Sequence, residues 1–135
     1  MRHSLEVQKE YETFLQAVIN NEELYVLQGE DGLACQSAMA DENTMCVLIW
    51  GCALTAEDQC SEDVDNLRVD TVALYDFLFR WLPNMDGDGV ICSINWHEEE
   101  GGLEVGPAAL KEHLMSVLPE DIQQRYRQRL ETEEA

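Results

Sequence analysis

The apolar residues Val7, Tyr11, Phe14, Leu15, Val18 and Ile19 recur at intervals of three and four, with Glu and Lys between them. This spacing predicts a helix over residues 4–20 with one apolar face. Asn20 and Asn21 end it. Leu24, Tyr25, Val26 and Leu27 then form a short apolar run, rich in strand-forming side chains, that meets Gly29-Glu30-Asp31-Gly32 and returns through Leu33, Ala34 and Cys35. A β-hairpin is expected there. Residues 45–50, Met-Cys-Val-Leu-Ile-Trp, form the longest uninterrupted apolar stretch and suit a buried strand. Residues 53–65 carry the five acids Glu57, Asp58, Glu62, Asp63 and Asp65 and few apolar anchors, so they read as a short exposed helix or a loop.

Leu67, Arg68 and Val69 suggest a short strand, after which Asp70 or Thr71 is a suitable helix cap for the stripe Leu74, Phe77, Leu78, Trp81 and Leu82. Pro83 is expected to close that helix. Asp86-Gly87-Asp88-Gly89 is a turn signal, and beyond it Val90, Cys92, Ile94 and Trp96 alternate with Ile91, Ser93, Asn95 and His97. Such alternation predicts a strand with Val90, Cys92, Ile94 and Trp96 on one face. Residues 98–102 supply a turn and Leu103, Glu104 and Val105 a brief strand, before Pro107 opens a helix whose Leu110, Leu114 and Leu118 face the core. After Pro119, the residues Ile122, Tyr126 and Leu130 lie four apart in a last helical segment with an acidic tail. The pattern predicts an α+β fold, a mainly antiparallel sheet with helices packed on one side. Residues 1–118 are read as one compact domain and 119–135 as a C-terminal helical extension. Phe14, Leu78, Trp81, Val90, Ile94 and Trp96 are expected to share one core.

Several of these stretches form an ordered set: Tyr11-Glu12-Thr13-Phe14-Leu15, Leu24-Tyr25-Val26-Leu27, Phe77-Leu78-Phe79-Arg80-Trp81-Leu82-Pro83, and Asp88-Gly89-Val90 leading to Ile94-Asn95-Trp96. The set resembles the bacterial family called domain of unknown function 2750, over residues 11–118. The resemblance implies a compact bacterial cytoplasmic α+β domain and carries no mechanism. The chain departs from the family pattern after Trp50, at Gly51-Cys52-Ala53-Leu54, and the acidic stretch over residues 57–65 looks particular to this protein.

Composition narrows the function. A chain of 135 residues, 45% of them apolar, is long enough to bury a core without disulfides or metal. The formal charge of −20 disfavours nucleic acid and anionic lipid, which are recognised by clusters of Lys and Arg. Between Lys9 and Arg68 there is no Lys or Arg at all. The longest apolar run is far short of the roughly 20 residues that cross a bilayer, so no membrane partner is expected. No apolar signal core follows Met1, and the cysteines Cys35, Cys46, Cys52, Cys60 and Cys92 are odd in number. Reduced thiols in a cytoplasm account for both.

Candidate chemistry is sparse. Asn84, Asp86, Asp88 and Gly89 match part of a calcium loop, but Asn95 stands where the bidentate Glu belongs, and a plain turn explains the same residues. Cys46, Cys52 and Cys60 lack the close spacing of a zinc or redox pair. His97 beside Glu98, Glu99 and Glu100 reads as a strand end entering an acidic turn, and Cys92 and His97 are expected on opposite faces of their strand. Trp50, Trp81 and Trp96 read as core. No catalytic, metal or cofactor-binding residue and no cofactor is assigned. The leading expectation is a small interaction or regulatory protein that binds a basic protein partner through Glu57, Asp58, Glu62, Asp63 and Asp65, with Glu30, Asp31, Asp41 and Glu42 as neighbours. The alternatives are a small-molecule-binding protein or enzyme with a carboxylate-lined site, and a nucleic-acid mimic. Nothing in the sequence bears on oligomeric state.

Overall fold

A computed structural model describes residues 4–30, 32–39, 41–59, 67–97 and 101–134. Helix α1 (Ser4–Asn21) buries Phe14, Leu15, Val18 and Ile19, the apolar face that its spacing predicts. Glu22, at φ 51°, turns the chain out of the helix into strand β1 (Glu23–Gly29). Strand β1 pairs antiparallel with β2 (Gly32–Leu33), the expected hairpin, and from Glu23 to Gln28 with β5 (Arg68–Ala73). Strand β5 is longer than its apolar core suggested, because Asp70 and Thr71 lie opposite Val26 and Tyr25 in the ladder. They therefore cap no helix. Ala73 precedes the helix instead, without a side-chain cap.

A second sheet has the order β3-β4-β6-β7, formed by β3 (Cys35–Ser37), β4 (Met45–Ile49), β6 (Ile91–His97) and β7 (Gly101–Val105). Its β4–β6 pair is parallel and the others are antiparallel. Backbone hydrogen bonds stitch the two sheets together at a corner. Tyr25 and Trp50 form an antiparallel bridge, and Ala34 donates to Leu27 while accepting from Leu48.

Residues 74–88 form one continuous helical segment: α3 (Leu74–Asp76), a π turn (Phe77–Trp81) and α4 (Leu82–Asp88). Pro83 does not close it. A proline has no N–H to give and its ring crowds the carbonyl four residues back, and here the wide turn just ahead of it lets Leu82 N–H reach the Phe77 carbonyl five residues back. The segment ends at Gly89 in the left-handed conformation, φ 71°, with Val90 N–H bonded to the Met85 carbonyl. Asp86, Gly87 and Asp88 are thus the last turn of a helix and not a loop, which removes the calcium-loop geometry from this stretch.

The main core lies between one face of the sheets and the helices α1, α3–α4, α5 (Pro107–Val117) and α6 (Glu120–Glu134). Phe14, Leu78 and Ile94 are buried within it, with Trp81 and Val90 packed at its margin. Leu110, Leu114 and Leu118 are buried as their spacing predicts. Helix α6 docks through buried Tyr126, whose hydroxyl donates to Glu22, and through ion pairs of Arg125 with Glu22 and Arg80 with Glu133. The opposite face carries a smaller cluster of Leu27, Leu48, Trp50 and Ala56, covered by the short α2 (Ala53–Asp58). Trp96 packs here and not with Ile94. Asn95 adopts φ 54°, and the β6–β7 register shifts between Ile94 and His97, so the alternation that placed Trp96 beside Ile94 is broken by one left-handed residue. The fold is α+β, with the longer helices on one side.

Candidate functional site: a groove beside Cys52

A groove of about 360 Å³ opens where α1, the link from β4 to α2, and the end of β6 converge. From α1 come Glu10, Thr13, Phe14 and Ala17; from the link and α2 come Gly51, Cys52 and Thr55; from β6 come Asn95 and His97. Glycine at position 51 lets the chain run close to α1: a Cβ there would stand 3.2 Å from Phe14 Cδ1, a tight contact, and 3.5 Å from Ala17 Cβ, an ordinary one. Cys52 follows in extended conformation as the residue that caps α2. On the other wall, Asn95 tolerates the left-handed angle better than most residues.

Four free thiols lie among the described residues, in different surroundings. Cys92 is buried in the main core, and its desolvation, followed by the proximity of Cys46, pushes it up to about 12. Cys46 is pushed up to about 11, first by burial and then by Glu104, whose carboxylate its thiol faces at 3.8 Å. Cys35, exposed on β3, is raised by partial desolvation. Cys52 alone among them is lowered: the Thr55 amide, then the Thr55 hydroxyl and the Leu54 amide, favour its thiolate, against slight desolvation and the Asp58 charge. None of these donors closes a side-chain cap bond of ordinary geometry. The thiol is exposed and opens on the groove.

From the sequence, Cys52 is weighed with Cys46 and Cys60, and His97 with Cys92 and with Glu98, Glu99 and Glu100, but never the two together. The structure brings Cys52 and His97 to one cavity and leaves Cys92 in the core. Spacing carried no sign of this, since positions 52 and 97 belong to different elements; the departure at Gly51-Cys52 was the available signal. Of the acidic candidates, Glu57 and Asp58 are exposed on α2, whereas Glu62, Asp63 and Asp65 lie outside the described residues, as do Asp31, Cys60, Glu98, Glu99 and Glu100. Asp41 has a structural task, accepting from the Asn43 amide and the Thr44 hydroxyl in the turn before β4. Among the described residues no group of three or more His, Cys, Asp or Glu could hold a metal ion, and no helix is long and apolar enough to cross a membrane. A second cavity, beside Cys46, Ser93 and Glu104, has room for about 20 Å³, the size of one water.

The family model described as "Protein of unknown function (DUF2750)" matches residues 11–114. The chain belongs to the DUF2750 family. The matched span of this DUF2750 protein runs from Tyr11 in α1 to Leu114 in α5 and takes in every groove residue except Glu10, while α6 lies beyond it. No curated protein matches the chain.

Proposed function

We propose that this DUF2750 protein is a cytoplasmic binding protein that docks a basic protein partner on α2 and takes one of the partner's Lys or Arg side chains into the adjoining groove. The observation that carries this reading is the groove's lining. It offers an apolar wall, Phe14 and Ala17, for an aliphatic stem, and a Glu10 carboxylate for a cationic head, with no Lys or Arg among its described lining residues. Glu57 and Asp58 are exposed on the same short helix as Thr55, beside the exposed apolar side chain of Leu54. A partner recognised this way gains encounter rate from charge and specificity from the groove.

The test is stopped-flow association of a fluorescent lysine-rich peptide. Its rate constant is expected to fall steeply between 0.01 M and physiological salt, as the screening length shrinks from about 30 Å to about 8 Å. Glu57→Lys with Asp58→Lys should slow association, and Thr13→Trp, which fills the groove from an exposed position, should speed dissociation. Binding that is indifferent to all three changes contradicts the reading. A small basic ligand is the second reading, favoured by a groove volume within the range of small-molecule sites.

A further inference from the structure

Helix α6 is held by few contacts, and those contacts describe the kind of helix its seat accepts. Of its described side chains only Tyr126 is buried, with Ile122, Gln123 and Leu130 partly covered and the others exposed. Tyr126 stands edge-on to Tyr75 and Phe79, at centroid distances of 5.3 and 6.3 Å, and its hydroxyl donates to Glu22. Two arginines flank it. Arg125 pairs with Glu22, and the Arg129 guanidinium lies 3.8 Å from the centroid of the Tyr75 ring. Charge complements shape here: in a chain of formal charge −20, residues 122–130 hold three arginines and no acid. Glu22, Tyr75 and Phe79 fall within the span matched by the DUF2750 model, α6 falls outside it, and none of the three lines the groove beside Cys52.

We infer that the face formed by Glu22, Tyr75 and Phe79 is a docking surface for an amphipathic helix with an aromatic anchor flanked by arginines, which α6 occupies in cis as a competitor. A partner helix of this chemistry takes the places of Tyr126, Arg125 and Arg129. The join to α5 permits the exchange: Leu118 is extended, at φ −70° and ψ 126°, and Pro119 disfavours helix in the residue before it, so α5 and α6 stay separate bodies across a two-residue hinge. The polar part of the grip is weak. The ion pairs of α6 involve arginine side chains more than half exposed, and such pairs contribute little once water competes for them. What favours α6 is its tether, which keeps it at high effective concentration beside the seat. A partner prevails by burying more apolar surface than one tyrosine and its partly covered neighbours, and any change that loosens α6 raises the partner's apparent affinity by the factor that it raises the open fraction.

The probe is a fluorescent peptide copying residues 119–135, added to the folded full-length chain and followed by anisotropy. Its five acids outnumber its three arginines, so bulk attraction to an acidic protein does not account for binding. Tyr126→Ala in the chain removes the cis anchor, and the peptide is expected to bind this variant roughly tenfold or more tightly than the wild type. If circular dichroism shows that the variant does not fold, Arg125→Gln with Arg129→Gln loosens α6 while keeping its apolar stripe, and the same direction of change is expected. Adding Glu22→Gln to the loosened chain should weaken the peptide several-fold, and a peptide that itself carries Tyr126→Ala should not bind. No binding to either chain, or equal affinity for the wild type and the loosened chain, overturns the proposal. So does peptide binding that is indifferent to Glu22→Gln, and so does a loosened chain that dimerises and excludes the peptide, which assigns the face to a second copy.

Discussion

Tyr25 and Trp50 exchange a pair of backbone hydrogen bonds, each N–H donating to the other's carbonyl at 2.9 Å. This bridge fixes the end of β4 against the start of β1, and the next two residues, Gly51 and Cys52, are thereby delivered to the groove. The Trp50 indole N–H closes the arrangement by donating to the Trp96 carbonyl at 3.0 Å, inside the smaller core. Groove and fold are coupled through this one tryptophan.

Trp50→Phe should therefore cost more than its lost area. It leaves a carbonyl without its partner at a part-buried position, an effect of about 1–3 kcal/mol, in addition to the packing lost around a fully buried ring. Urea unfolding measures it.

Leu78→Ala tests the main core. Leu78 is fully buried among α1, the sheets and α5, so truncation should lower stability by about 2–5 kcal/mol in chemical denaturation.

Much of this core was legible in the sequence, and the exceptions have physical causes. Helices α1 and α5 announced themselves by spacing because each buries one continuous stripe. Val47 and Ile49 join the main core while Leu48 and Trp50 join the smaller one, so β4 is buried on both faces and reads as an unbroken apolar run. Pro83 misled because a π turn absorbs the defect that a proline ordinarily causes, and Asp86-Gly87-Asp88 because turn-forming residues also serve in a helix's last turn. Trp96 was misplaced by a single backbone angle at Asn95. The groove was not legible from spacing, since its walls come from α1, α2 and β6 and no local periodicity reports which distant elements converge.

Gly102→Ala should be among the most damaging small substitutions. An added Cβ would lie 2.2 Å from Ser93 Oγ, 3.1 Å from the Ile94 carbonyl oxygen and 3.2 Å from Trp96 Cα, so rotating Ser93 away cannot relieve the backbone contacts. A loss of about 1–3 kcal/mol is expected, and Ser93→Ala in the same chain should restore only part of it, as thermal unfolding of the single and double variants would show.

Acid should loosen α6 before the rest of the molecule. Glu133 accepts from the Tyr75 hydroxyl and pairs with Arg80 and Arg129, and these contacts, the Tyr75 bond foremost, hold its carboxyl below the ordinary range. A carboxyl depressed in the folded state contributes stability above its unfolded value, and that contribution fades as pH falls through the folded one. The protection of the amides over Glu120–Glu134, taken relative to their intrinsic exchange at each pH, should accordingly fall as pH drops below about 4.5, and Glu133→Gln should flatten this dependence.

The groove itself is tested most directly by backbone amide NMR during titration with a lysine-rich peptide. The account predicts that Thr13, Ala17, Gly51, Cys52, Thr55, Asn95 and His97 shift together and saturate at one peptide concentration, with Thr13→Trp abolishing the response. Shifts confined to other surfaces, such as α6 or the outer edge of β5, or a groove response that survives Thr13→Trp unchanged, would contradict it.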